Sequence, residues 1–430
     1  MHRFLSIKLT SNDILLVSAA FLTYTGMYAV RKSFLAGQYD ELAAYGSFDF
    51  KTLLIISQVL GYMLSKFIGI KLVSEASAPR RFGMLVTLVG FGLAMLLAFA
   101  WLPDSLKPVA LFLNGLPLGM VFGLVLSYLE GRQHTELLVA GLSATFIFST
   151  GLIKSVGLWL IQQFDIGELM MPFATGLLFF PVFVMAAWLL HRSPGPTKVD
   201  IVQRTRRQPM NGKQRRDFLS HHGWGFVGLV MVYIILTVAR DFRDNFIVEF
   251  WAELGQLEAP ALITLTEVPI AVIVLTICAL GVLILDNRVA FNLGMCTVAG
   301  SAVLLLLVTY AFEQGWISPV AWIISSGTFI YLPYILFHCL LFERFLALLR
   351  YPGTVGFLFY VADAGGYLAS VSILLLKETI NTQYQWVHFF AQLNTYSAVG
   401  ILLITVLAVM ILQKQEKQYH LWRTASQKPA

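Results

Sequence analysis

Three stretches of the chain set tyrosines and charged groups at helical spacing. Tyr24, Tyr28 and Arg31 follow an i, i+4, i+7 pattern and so share one stripe of a helix. Gln58, Tyr62 and Lys66 form a second stripe, with Gly61, Ser65 and Gly69 beside it, small enough for close helix approach. Tyr233, Thr237, Arg240 and Asp244 form a third. A guanidinium offers a planar fork to phosphate or carboxylate, an ammonium adds a point charge, and phenol hydroxyls supply further donors. The chemistry in reach is the binding of an oxyanion.

Lys154, Asp241, Arg243, Glu267 and Asp363 also interrupt apolar runs. An ionised side chain at mid-bilayer costs about 2.5–3.5 kcal/mol on insertion scales, so each needs a partner or a task. Arg31, Arg240, Lys66, Tyr24, Tyr28, Tyr62 and Lys154 are the expected substrate-binding residues, and Asp363, Glu267 and Asp244 the expected coupling or gating residues. A competing reading has Arg31 and Lys32 snorkelling to the headgroups, because a straight helix from Asp13 carries Arg31 about 27 Å along its axis.

The elements that must position these residues follow from composition. The 430 residues are 57% hydrophobic and only 13% charged, which excludes an ordinary water-soluble domain, a disordered chain and a nucleic-acid-binding domain. A bilayer needs about 20 apolar residues per helix. Twelve such runs occur: 14–37, 52–73, 82–101, 108–129, 137–162, 171–190, 224–248, 261–285, 289–312, 317–341, 353–376 and 387–412. The first reads as an uncleaved span, because no small-residue cleavage site follows it. Cys278, Cys296 and Cys339 lie within apolar runs and read as buried thiols without a disulfide. Trp101, Trp159, Trp251, Trp316 and Trp386 fall at outward ends, as in an aromatic belt.

A basic stretch, 191–223, divides the chain into a six-helix bundle, 1–190, and a second bundle with a tail, 224–430. Lys and Arg gather in alternate loops, which places both termini and the 191–223 stretch in the cytoplasm. The halves also match at a constant offset: Tyr24, Tyr28 and Arg31 fall on Tyr233, Thr237 and Arg240, Gln58 on Glu267, Lys154 on Asp363 and Gly157 on Gly366. The expected fold is therefore all-α, with about 12 transmembrane helices in two like-oriented repeats, the arrangement of the major facilitator superfamily. In that arrangement span two packs on span eleven and span five on span eight. By depth, a second reading of Lys66 and Lys154, set beside substrate binding, pairs Lys66 with Asp363 and Lys154 with Glu267, and such pairs would act as ties that break between access states. Arg31 has no evident acid, whereas Arg240 has Asp241 and Asp244 close in sequence.

The run Tyr24-Thr25-Gly26-Met27-Tyr28-Ala29-Val30-Arg31-Lys32-Ser33-Phe34 resembles the first helix of the organophosphate:phosphate antiporter family. The stretch from Gly61 to Gly69, the loop from Ser74 to Phe82 and the stretch from Asn114 to Met120 are similar to its second helix, following loop and fourth helix. The resemblance implies that Arg31 and Arg240 face each other and bind phosphate, assisted by Lys66, Tyr24, Tyr28 and Tyr62. The fifth-helix histidine of that family has no counterpart, and the Arg240-Asp241-Phe242-Arg243-Asp244 run and Asp363 are additions, so the resemblance is to a divergent branch.

No G-x-x-x-x-G-K-[ST], H-E-x-x-H or paired C-x-x-C occurs, so neither ATP-driven transport nor a zinc enzyme has support, and no metal or cofactor is expected. His338 and Cys339 read as packing residues, and Gly365-Gly366 as a helix contact. The expectation is a monomeric, non-enzymatic transporter in a bacterial inner membrane, exchanging a small organic anion such as a phosphate ester by alternating access. The alternatives are a proton-coupled symporter using the intramembrane carboxylates, and a transporter-like anion sensor.

Overall fold

The computed structural model describes residues 10–40, 42, 49–74, 78–129, 132, 135–195, 212–256, 259–349, 355–380 and 385–426. Eleven helices among these are long and apolar enough to cross a membrane. They are α1 (Ser11–Ala36), α2 (Phe50–Gly69), α3 (Pro79–Trp101), α4 (Asp104–Leu129), α5 (Leu137–Phe164), α6 (Met171–Arg192), α7 (Gly223–Glu253), α8 (Ala261–Val282), α9 (Asn287–Glu313), α10 (Pro319–Leu349) and α12 (Trp386–Leu412). A 26-residue helix, α11 (Val355–Ile380), fills the place of the remaining predicted span. The chain is a multi-pass membrane protein. With six helices on each side of the 191–223 stretch, the start of α1 and the end of α12 lie at one end of the bundle (the terminal end), and α1 runs from there to the opposite, loop end. Of that stretch, 196–211 lies outside the described residues; the chain is helical up to Arg192 and again from Gly212.

Local chemistry explains the helix ends and breaks. Thr10 caps α1 in a capping box with Asp13. Pro117 interrupts α4, a 3-10 turn at Ala144–Phe146 interrupts α5, Phe246 is non-helical inside α7 (φ −118°, ψ 17°), and a π-helical turn at Phe337–Leu341 follows Pro333 in α10. Such interruptions are tolerated at membrane depth where protein surrounds them.

The two sets of six helices repeat one packing scheme. α1 lies on α6 and α3 on α4, as α7 lies on α12 and α9 on α10. The sets meet through α5 against α8 and α2 against α11, the pairings the repeat predicted. Glycines set the closest approaches. A Cβ on Gly61 would collide with the backbone oxygen of Phe112, and one on Gly115 with that of Gln58, so α2 and α4 touch backbone to backbone. Gly365 and Gly366 pack on Ile234 and Thr237, the helix contact expected of them.

Three expectations need correction. Trp251 is 1% exposed and belongs to the interior, unlike Trp101, Trp159 and Trp316, which are exposed. Cys296 is exposed on the lipid-facing side of α9, while Cys278 and Cys339 are buried, all three as free thiols. Arg31 and Lys32 do not snorkel: they are 4% and 5% exposed, because the chain continues past them as a 3-10 turn, Ser33–Ala36, buried in protein.

Candidate functional site

Where the two sets of helices meet at mid-depth, side chains from both enclose a small cavity. α1 contributes Tyr24 and Tyr28, α2 Tyr62 and Lys66, and α4 and α5 Phe122 and Phe146. From the other set come Arg240 of α7, Tyr334 and His338 of α10, and Asp363 and Tyr367 of α11. The space at its centre is about 20 Å³, the room of a single water, so the halves are drawn together around it.

The α1 and α2 stripes arrive as their spacing required. Asn114 of α4 holds them in register: its side-chain nitrogen donates to the carbonyls of Val30 (3.2 Å) and Gly92 (2.8 Å), while its oxygen accepts from Gln58 at 2.8 Å. Gln58 donates in turn to the Arg31 carbonyl at 2.7 Å. This buried amide pair fixes the backbone that carries Arg31. The Arg31 guanidinium lies 3.5 Å above the Tyr62 ring, its Nε has no hydrogen-bond partner, and no carboxylate among the described residues pairs with it.

The charge run on α7 is distributed by the 100° turn per residue. Arg240 faces the cavity 4.4 Å over the Tyr334 ring and also meets Asp241 at 2.7 Å. Asp241 accepts from Ser370 of α11 at 2.9 Å. Phe242 packs into an aromatic cluster with Phe389 and Phe390 of α12. Arg243 reaches Glu267 of α8 at 2.7 Å. Asp244 faces the first set of helices, where it accepts from Lys154 at 2.6 Å and from Lys32 at 2.9 Å; Lys32 also donates to Asn245 at 2.8 Å.

The predicted Lys66–Asp363 pair is present. The predicted Lys154–Glu267 pair is not, because Glu267 is taken by Arg243 and Lys154 by Asp244. Glu267 thus ties α7 to α8 within one set of helices, and Lys154 lies away from the cavity lining. Towards the loop end, Lys51 pairs with Glu249 and donates to the Leu35 carbonyl at 2.9 Å. Lys32, Lys51 and Lys154 therefore all bridge to α7 in the loop-end half, whereas Lys66–Asp363 is the bridge nearer the terminal end. Repulsion and desolvation would make such charges costly if unpaired, and pairing offsets most of that cost.

Sequence reading missed Tyr334, Tyr367, Phe146 and the lining role of His338. Tyr233, placed on the Arg240 stripe, donates to Asp363 at 2.5 Å and lies 2.9 Å from His338 Nε2. No polar stripe marked the α10 residues, since Tyr334 and His338, one turn apart, stand in a helix that is apolar on every side. The site contains no group of three or more potential metal ligands among the described residues.

The fold is that of the major facilitator superfamily. A D-xylose-proton symporter is 14% identical, with 93% of this chain and 95% of that chain covered and a TM-score of 0.58. A peptide transporter, POT, is 13% identical over 93% and 95%, with a TM-score of 0.61. The nucleoside transporter NupG is 12% identical over 92% of this chain and 100% of that one, with a TM-score of 0.59. No curated protein matches the chain by sequence. Residues 33–415 match the model described as "Family of unknown function (DUF5690)", and the chain belongs to that family.

Proposed function

We propose that this member of DUF5690 is a secondary transporter that moves a small organic anion, a phosphate ester or phosphate in exchange, by alternating access. The observation that carries the reading is Arg31: a buried guanidinium at the interface of the two halves, held by its backbone, stacked on a phenol and lacking a carboxylate among the described residues. Among the described residues around it, leaving aside the balanced Lys51–Glu249 pair, stand six cations (Arg31, Lys32, Lys66, Lys154, Arg240, Arg243) against four carboxylates (Asp241, Asp244, Glu267, Asp363).

Two surplus positive charges suit a dianion. A phosphate monoester carries about −1.5 to −2 at neutral pH and offers three acceptor oxygens. Such a guest would draw Arg31 and Arg240 towards a common centre, with Lys66, Tyr24, Tyr28 and Tyr62 as further donors. The cavity must widen to admit it, which alternating access supplies: the terminal end opens when Lys66–Asp363 parts, the loop end when Asp244 and Glu249 release their lysines. An unloaded carrier keeps its uncompensated cations and is disfavoured in the intermediate state where both ends are shut, and that bias favours exchange. The clustering of Lys and Arg in alternate loops supports a cytoplasmic terminal end; a bacterial inner membrane is the location this reading takes.

The deciding experiment is counterflow in proteoliposomes loaded with phosphate or phosphate esters, with neutral sugars and dipeptides as alternatives. Uptake driven by internal anion and lost in Arg31→Gln supports the reading. Uptake confined to neutral solutes would refute it.

A further inference from the structure

Tyr233 sits at a junction whose proton count is constrained. Its hydroxyl has one proton, which it gives to Asp363 Oδ1 at 2.5 Å in preference to the Tyr334 hydroxyl at 3.3 Å. The other carboxylate oxygen accepts from Lys66. The Tyr233 oxygen lies 2.9 Å from His338 Nε2 and can there only accept. His338 in its neutral form therefore carries its proton on Nε2 and a lone pair on Nδ1. That second nitrogen has no hydrogen-bond partner among the described residues, and His338 lines the central cavity. The ring is held by Phe359, stacked at 5.1 Å, and by Phe146 of the other half at 5.4 Å. It stands on the π-helical turn Phe337–Leu341, a local insertion frequent at functional sites.

We infer that His338, Tyr233 and Asp363 form a proton-uptake chain, through which a proton entering from the cavity releases the Lys66–Asp363 tie and accompanies the anion. The inference builds on the anion reading above. A proton adds to His338 Nδ1. The Nε2 proton passes to the Tyr233 oxygen as the Tyr233 proton passes to Asp363. One proton has entered and Asp363 has gained one, while tyrosine is unchanged and imidazole is again neutral in its other tautomer. Asp363 no longer offsets Lys66, so that contact loses its charge assistance and the site gains a surplus cation. Anion and proton then raise each other's affinity by the same factor. The groups facing Asp363 are Tyr62 and Lys66 on α2, Tyr233 and Arg240 on α7, Tyr334 and His338 on α10, and Tyr367 on its own helix. Of these, Lys66 and Arg240 repel an incoming proton, and an anion arriving beside them removes part of that repulsion.

Two measurements test the chain. In time-resolved infrared spectra of purified, ligand-free protein after a downward pH jump, a protonated-carboxyl band should appear that is absent in Asp363→Asn and forms more slowly in Tyr233→Phe. A band that forms as fast in Tyr233→Phe overturns the chain. Calorimetric titration with inorganic phosphate, above its second ionisation and in buffers of different ionisation heat, should show a proton taken up with each anion. Uptake should vanish in Asp363→Asn although phosphate still binds, and in Tyr233→Phe and His338→Gln it should persist but follow phosphate binding more slowly in stopped-flow mixing with a pH dye. Phosphate bound by the wild type without proton uptake overturns the coupling. A carboxyl band whose rate of formation depends on Tyr233, in protein that binds no phosphate, supports the chain and refutes the anion reading.

Discussion

Arg31 lies flat against Tyr62, 3.5 Å from the ring, and Tyr62 in turn meets Tyr367 of the opposite half edge-on at 5.4 Å. The guanidinium is thus linked to the second half through one phenol ring of its own half, Tyr62, and not through a carboxylate among the described residues. A cation–π contact is worth about 0.5–2 kcal/mol, less than the several kcal/mol needed to desolvate an unpaired cation. The residue therefore costs stability at rest.

Arg31→Gln should accordingly leave the thermal midpoint of the ligand-free protein unchanged or higher, while weakening anion binding about 10- to 100-fold, the worth of a charge-assisted contact. Thermal unfolding with and without phosphate measures both. A lower midpoint with unchanged binding would assign Arg31 to structure.

Asp244 neutralises two lysines from two different helices. Asp244→Asn should cost about 3–5 kcal/mol by stranding them. Adding Lys154→Met should recover much of the loss, because Lys32 retains Asn245. A double-mutant cycle reads the coupling, and strict additivity would show that the pair seen here contributes little.

Lys51 and Glu249 close the loop end across the two halves. In a background without native cysteines, a short bifunctional thiol reagent joining Lys51→Cys to Glu249→Cys should arrest transport, and cleavage of the linker should restore it. Full transport by the linked protein would remove the loop end from the access cycle.

Gly61→Ala and Gly115→Ala should each destabilise by about 1–3 kcal/mol, since the new methyl meets backbone that cannot yield. Gly83→Ala, whose Cβ meets nothing within 4 Å, should be neutral or mildly stabilising in its helix. Equal behaviour in a denaturation series would contradict the close α2–α4 contact.

The sequence made the membrane class, the two repeats and the Lys66–Asp363 tie legible, because hydropathy fixes depth and the repeat fixes which helices meet. Depth alone misassigned Lys154. Four charges in five residues of α7 point in different directions, and rotation about the axis decided that Asp244 meets α5 while Arg243 takes Glu267. Arg31 appeared near enough to the outer surface to snorkel, but the buried turn Ser33–Ala36 covers it. His338 was unreadable for another reason: it stands among apolar residues of α10, with no polar stripe to mark its face, and so reads as packing.

The meshing of α2 with α4 has a mechanical consequence. With Gly61, Gly115 and Gly119 all seated on facing backbone, neither helix can slide or roll past the other, and the two behave as one strut. Motion of α2 relative to its surroundings is then confined to its other flank, the seam with α11. Lys66 and Asp363 stand on that fault line.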